Sequence, residues 1–185
     1  FTKLFRFSDY KRMTPFEIAD ALRACLDTAF TGDEGKPAEI CHRPGAEVPF
    51  SLGLGQDECC TGLGWVRVAG IEPVIDPSSA DERDASPCDI HRRRITLELG
   101  VARCNPYGTT AAGPDCDTWT TLALRMDVDA LRMRQAVCCL AAATSDDPSS
   151  AVYIVRGGAW EPLEASGMCA GGSMVVVVYT DCGEC

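Results

Sequence analysis

The hydrophobic positions of this chain follow two periods. Ile18, Leu22, Cys25, Leu26 and Phe30 recur at helical spacing. Thr14-Pro15-Phe16-Glu17 stands just before them as a capping box with proline at the first helical position. Its threonine hydroxyl accepts the Glu17 N–H while the Glu17 carboxylate reaches back to the cap. Gly32 ends the pattern. Leu122, Met126, Ala130, Met133, Val137 and Leu140 repeat helical spacing. They predict a helix that resumes near Asp117 or Thr118, with Val128-Asp129 as the point where it can divide in two. Period two marks the strands. Ile95, Leu97, Leu99 and Val101 alternate with Thr96, Glu98, Gly100 and Ala102, the clearest half-buried strand in the chain. Trp65 to Ile71 (WVRVAGI) is a second strand, rich in β-branched and aromatic residues. VYIV at 152–155 opens a final sheet region. Gly157-Gly158 reads as a turn, Trp160 as the start of another strand, and MVVVVY at 174–179 as a central strand.

Loops are predicted at 32–61, 73–89 and 105–117. The first is long for a compact domain, so it is either functional or pinned by its cysteines. The resulting order is α+β: a mostly antiparallel sheet packed by an N-terminal helix and a central helical segment, with long cysteine-bearing loops. A chain of 185 residues fits one domain, here 13–185. Residues 1–12 read as an arm or extension, either a flexible tail or a docking arm.

Charge narrows the function. The net charge is −10. The arm carries Lys3, Arg6, Lys11 and Arg12 against Asp9, a total of +3, which leaves −13 on the remainder. This balance argues against nucleic-acid binding by a general basic surface. No stretch approaches the roughly 20 apolar residues of a membrane span, and the opening does not read as a secretory signal. Arg92-Arg93-Arg94 precedes the alternating strand. It is either a solvated strand entrance or a cationic contact to an acidic partner subunit.

Twelve cysteines are scattered along the chain. Cys25 lies on the apolar helical stripe and reads as a small hydrophobe. The other eleven, Cys41, Cys59, Cys60, Cys88, Cys104, Cys116, Cys138, Cys139, Cys169, Cys182 and Cys185, are disulfide candidates. Most lie in loops or at element ends, where a bridge offsets about 2–4 kcal/mol of chain entropy. The adjacent pairs Cys59-Cys60 and Cys138-Cys139 send their bonds to different places. A structural zinc is the rival reading. Cys182-Gly-Glu-Cys185 has C-x-x-C spacing, but no second C-x-x-C answers it. Cys41, His42, Cys59 and Cys60, from the long loop, are the other zinc candidates. No cofactor is otherwise implied.

Catalytic patterns are sparse. The two histidines, His42 and His91, belong to no H-E-x-x-H motif, and no G-x-S-x-G elbow, Walker loop or dinucleotide fingerprint occurs. The chain therefore reads as a non-enzyme, although a Cys–His nucleophilic pair formed in space is invisible at this level.

The stretches MTPFEIADALRACL, GLGWVRVAGIEP, ITLELGVARC, VCCLAAA and VRGGAWEPLEASGMCAGGSMVVVVY resemble the cysteine-rich tail terminator (tail completion) proteins of long-tailed phages that infect actinobacteria. The resemblance covers most of the chain from Met13 onward and lies in combined order rather than in one motif. It implies the lambda-type tail terminator fold and no catalytic residue. It further implies a six-membered ring of identical subunits in the virion neck, assembled in the host cytoplasm. Its expected partners are other copies of the chain, the tail tube protein and the head-to-tail connector or stopper. Genomic DNA would pass through an acidic lumen without specific binding. The loops at 32–61 and 73–89 are then expected to carry subunit contacts. A neighbouring connector or stopper protein, or a disulfide-rich or zinc-stabilised binding module, is the alternative.

Overall fold

A computed structural model describes residues 13–45, 61–74, 92–106, 113–145, 151–166 and 169–181. The expected arm at 1–12 lies outside these residues, as does the expected loop at 73–89 beyond Val74. The elements are α1 (Pro15–Ala29), β1 (Glu39–His42), β2 (Leu63–Pro73), β3 (Arg92–Cys104), α2 (Cys116–Ser145), β4 (Val152–Ser166) and β5 (Cys169–Asp181). The fold is α+β, as the periodicity predicts.

α1 begins where its cap dictates. Thr14 Oγ1 accepts from Glu17 N at 3.2 Å, and Glu17 Oε2 accepts from Thr14 N at 2.6 Å. Its apolar stripe is buried from Ile18 to Leu26, with Phe30 at the C-cap fully buried. α2 starts at Cys116 with Asp115 as its cap, the carboxylate accepting from Thr118 N at 2.7 Å. It runs unbroken to Ser145. Val128-Asp129, where it could have divided, lies inside this single helix.

The sheet has strand order β1-β2-β3-β5-β4. β1 pairs with β2 in parallel, and every other pairing is antiparallel. β3 and β5 pair without a break from Arg92↔Asp181 to Cys104↔Cys169. This places MVVVVY between two neighbouring strands. Three local expectations are corrected. The segment 32–61 is not a continuous loop, since β1 forms within it. Gly157-Gly158 is not a turn but lies in β4, where the register shifts between Gly157 and Trp160. The three arginines at 92–94 do not precede the strand but open it.

Both helices cover one face of the sheet. Ile95, Leu97, Leu99 and Val101 of β3 point to them, together with Val66, Met174, Val176 and Val178. Every second residue of β3 therefore leaves water, and each such side chain contributes about 1.5–3 kcal/mol of burial free energy. A smaller cluster of Leu63, Trp65 and Ala102 lies on the opposite face. Two glycines make room for tryptophans. A Cβ at Gly100 would sit 2.2 Å from the Trp65 ring, and one at Gly172 would sit 2.2 Å from the Trp160 ring. Each indole therefore lies flat across bare backbone.

A disulfide joins the helices. Cys25 of α1 bonds Cys139 of α2 across 114 residues of sequence. Cys25 is buried, as its place on the stripe predicts, but it is a bridge rather than a free apolar residue. Helical periodicity reports burial and is blind to a partner so distant in sequence. We expect Cys25→Ala to lower stability by about 2–5 kcal/mol. Urea unfolding in oxidising buffer checks this, and full reduction of the wild type should narrow the difference between the two.

Candidate functional site

The strongest constellation among the described residues is a charged seam between α2, the end of β3 and the turn after α1. Its origin is the alternation of β3. The residue after Val101 on the helix-facing side is Arg103, so the apolar row ends in a cation pointed at the core. A buried cation needs a counter-charge and hydrogen bonds. Asp129 supplies both, accepting from Arg103 Nε at 2.8 Å and Nη2 at 2.6 Å. The Asp129 side chain is 4% exposed and that of Arg103 11%. The Arg103 guanidinium also lies 5.9 Å from the centre of the Phe30 ring, a cation–π contact.

The seam continues along α2. Arg125, one turn before Asp129, places Nε 3.4 Å from Asp129 Oδ1 and donates through Nη1 to Asp33 Oδ1 at 2.9 Å. Its Nη2 donates to the Gly35 carbonyl. Arg132 Nε reaches Asp33 Oδ2 at 3.3 Å, and Gly35 N closes the turn onto Asp33 at 2.8 Å. A Cβ at Gly35 would lie 2.1 Å from the Arg125 guanidinium carbon, so a larger residue there must push that guanidinium aside. Arg125, through its hydrogen bond, holds the Asp33 carboxyl at about 2 against an ordinary 3.8. A carboxylate so acidic is ionised throughout the neutral range and has no proton to give, so this seam fits a clamp rather than an acid–base device.

Two smaller polar groups flank it. On the outer face Arg67 and Glu98 are cross-strand partners, with Arg67 Nε donating to Glu98 Oε2 at 3.1 Å. Trp65 Nε1 donates to the other carboxylate oxygen at 3.3 Å. On α1, Asp20 accepts from Arg23 at 2.9 Å and lies 3.1 Å from His42 Nε2. Arg23 first, and His42 second, hold the Asp20 carboxyl below its usual range. The His42 ring also packs on Phe16, with centroids 4.7 Å apart.

The structure separates several residues that the sequence invited together. Cys41 and His42 are consecutive strand residues and point to opposite faces. Cys41 packs with the Leu63, Trp65 and Ala102 cluster, whereas His42 meets Asp20 of α1. They form neither a nucleophilic pair nor a shared zinc corner. Among the described residues no three metal-ligating side chains converge. Cys182 and Cys185 lie outside them, as do Cys59, Cys60 and Cys88. Of the remaining disulfide candidates, Cys139 bonds Cys25, and Cys104 and Cys169 are disulfide-bonded. Cys41, Cys116 and Cys138 are free thiols in this structure, the last two exposed. The three arginines have partners within the chain. Arg92 lies 3.8 Å from Asp181, Arg94 lies 3.5 Å from Glu72, and Arg93 donates to the Met13 carbonyl at 3.2 Å. No helix among the described residues is long and apolar enough to cross a membrane.

The sequence reading missed the whole seam. Its one visible signal was Asp129, which falls on the buried stripe between Met126 and Met133. A carboxylate at such a position announces a buried cation somewhere, but not which one. No protein-family model matches the chain, and no curated protein is similar to it in sequence.

Removing Asp129 strands Arg103 in the core. Asp129→Ala is expected to cost about 3–5 kcal/mol, measured by chemical denaturation. The Asp33 clamp has a defined pH window. Its folded value lies below the unfolded one, so its stabilisation is complete above about pH 4 and is lost as pH falls toward 2. The stability gap between wild type and Asp33→Asn should therefore be constant above pH 4 and shrink below it, as urea titrations at stepped pH would show.

Proposed function

We propose that this chain is a structural subunit of a phage neck, a ring-forming protein that ends tail-tube polymerisation and joins tail to head. The observation that carries the reading is the element plan. An N-terminal helix, a mostly antiparallel sheet and a long helix across the same face are the parts that the tail terminator resemblance calls for, in the same order. The polar constellations favour the same direction, because their charges are spent on holding elements together. The Asp33, Asp129, Arg103, Arg125 and Arg132 seam fastens a turn, a strand and a helix.

Such a role requires a rigid subunit with surfaces matched to its own copies, to the tube and to the connector. The net charge of −10 suits a passage that DNA must slide through without adhering. In that setting the cysteines serve durability. A particle is built in a reducing cytoplasm and persists outside it, where thiols oxidise.

Negative-stain electron microscopy of the purified full chain, alone and mixed with polymerising tail tube protein, tests the reading. The expected result is closed rings of about six copies and tubes capped at one end. Rings that bind head connectors but leave tube growth unchecked would move the chain to a neighbouring neck layer. Dispersed single subunits that neither close into rings nor cap tubes would overturn the proposal.

A further inference from the structure

We propose that the solvent face of α2 docks a second copy of this chain in an antiparallel, two-fold helix pair. α2 is apolar on two opposite sides. One side carries Met133, Ala136, Val137 and Leu140 into the core. The other presents Leu124 and Leu131, 62% and 54% exposed, followed at the same seven-residue spacing by the exposed thiol of Cys138. Residues seven apart lie on one side of a helix, so Leu124, Leu131 and Cys138 form a single row on which a second helix can lie.

Charge selects the occupant. Beside the stripe lie exposed Asp127 and Arg134, one turn to either side of Leu131, and neither has an ion-pair partner among the described residues. When two copies of α2 cross antiparallel with Leu131 at the axis, Leu131 meets its own copy. Leu124 then meets Cys138 of the second copy, and Asp127 of each helix meets Arg134 of the other. The same arrangement opposes the two helix dipoles. A parallel pair would instead set Asp127 beside Val128 of the second copy, leaving that carboxylate without a counter-charge. Strand addition is the less favourable route to self-association. β1 is only four residues long, and β4 carries three register shifts and Pro162.

This contact closes at two copies and does not rest on the ring reading. The test uses the full chain with Leu124→Cys. On one helix, positions 124 and 138 are 14 residues apart, about 21 Å, so a disulfide between them joins two molecules. Under mild oxidation the variant should yield a covalent dimer whose peptide map links position 124 to Cys138. The linkage should vanish in Leu124→Cys/Cys138→Ser. Adding Leu131→Glu should cut the yield about tenfold, equivalent to about 1.4 kcal/mol of pairing. All three positions are exposed, and circular dichroism confirms that the variants fold. The proposal is overturned if this linkage forms no more than dimers of a Thr28→Cys control. It also fails if wild type joins only Cys138 to Cys138, the parallel register, or if Leu131→Glu leaves the yield unchanged. Rings without the linkage would sink this inference and keep the neck reading. The linkage without rings would do the reverse.

Discussion

The bidentate pair between Arg103 and Asp129 is the interaction on which the rest of the architecture depends. β3 is the middle strand of the sheet, and its alternation delivers an arginine to the buried side at the end nearest α2. Without an acid in reach that arginine would drag the strand end toward water. Asp129 is in reach only if α2 passes over this end of the sheet as one continuous helix. That continuity in turn sets Arg125 and Arg132 above the turn after α1, where Asp33 and the Gly35 carbonyl receive them. Phe30, the C-cap of α1, then lies under the Arg103 guanidinium. One strand, two helices and a turn are thus located by a single buried charge and what is needed to neutralise it.

The remaining fastenings act on other parts of the same frame. The Cys25–Cys139 disulfide joins the helices to each other, while the seam joins them to the sheet. Trp65 on Gly100 and Trp160 on Gly172 fix the lateral spacing of strands on opposite faces, because an indole lying on bare backbone tolerates no side chain beneath it. On the outer face, Arg67 and Glu98 satisfy each other across neighbouring strands. These interactions are directed at rigidity. A subunit that must match several neighbours at once benefits from that property more than from a mobile cleft, and this is the physical sense in which the fold fits the role we propose.

α2 shows how one helix serves two ends. Its inner row is bound into the core, and its outer row repeats Leu124, Leu131 and Cys138 at seven-residue intervals. Seen from the sequence the two rows blur, since apolar residues on opposite sides weaken any single periodic signal. Leu122, Met126 and Met133 mark the inner row, and Leu124 and Leu131 look like noise upon it. Only when the inner row is seen buried does the outer one stand out as an unpartnered surface.

Local rules made much of the fold legible. Thr14-Pro15-Phe16-Glu17 started α1 where it starts, because a cap and its helix are neighbours in sequence. The alternation of 95–101 defined β3 and its buried side, because pleating has period two whatever the strand packs against. MVVVVY became an interior strand because a continuous apolar run of that length is too short for a helix and fits a strand covered on both faces. The errors all concern partners far apart in the chain. Gly157-Gly158 is a bulge because β5 runs beside it, β1 exists because β2 offers it an edge, and Cys25 is a bridge because α2 brings Cys139 to it. The residue types and periods therefore determined which segments are helix and strand and which sides are apolar. The tertiary structure alone decided which charges meet, which thiols bond and which apolar face stays uncovered, since those depend on distances that sequence separation does not encode.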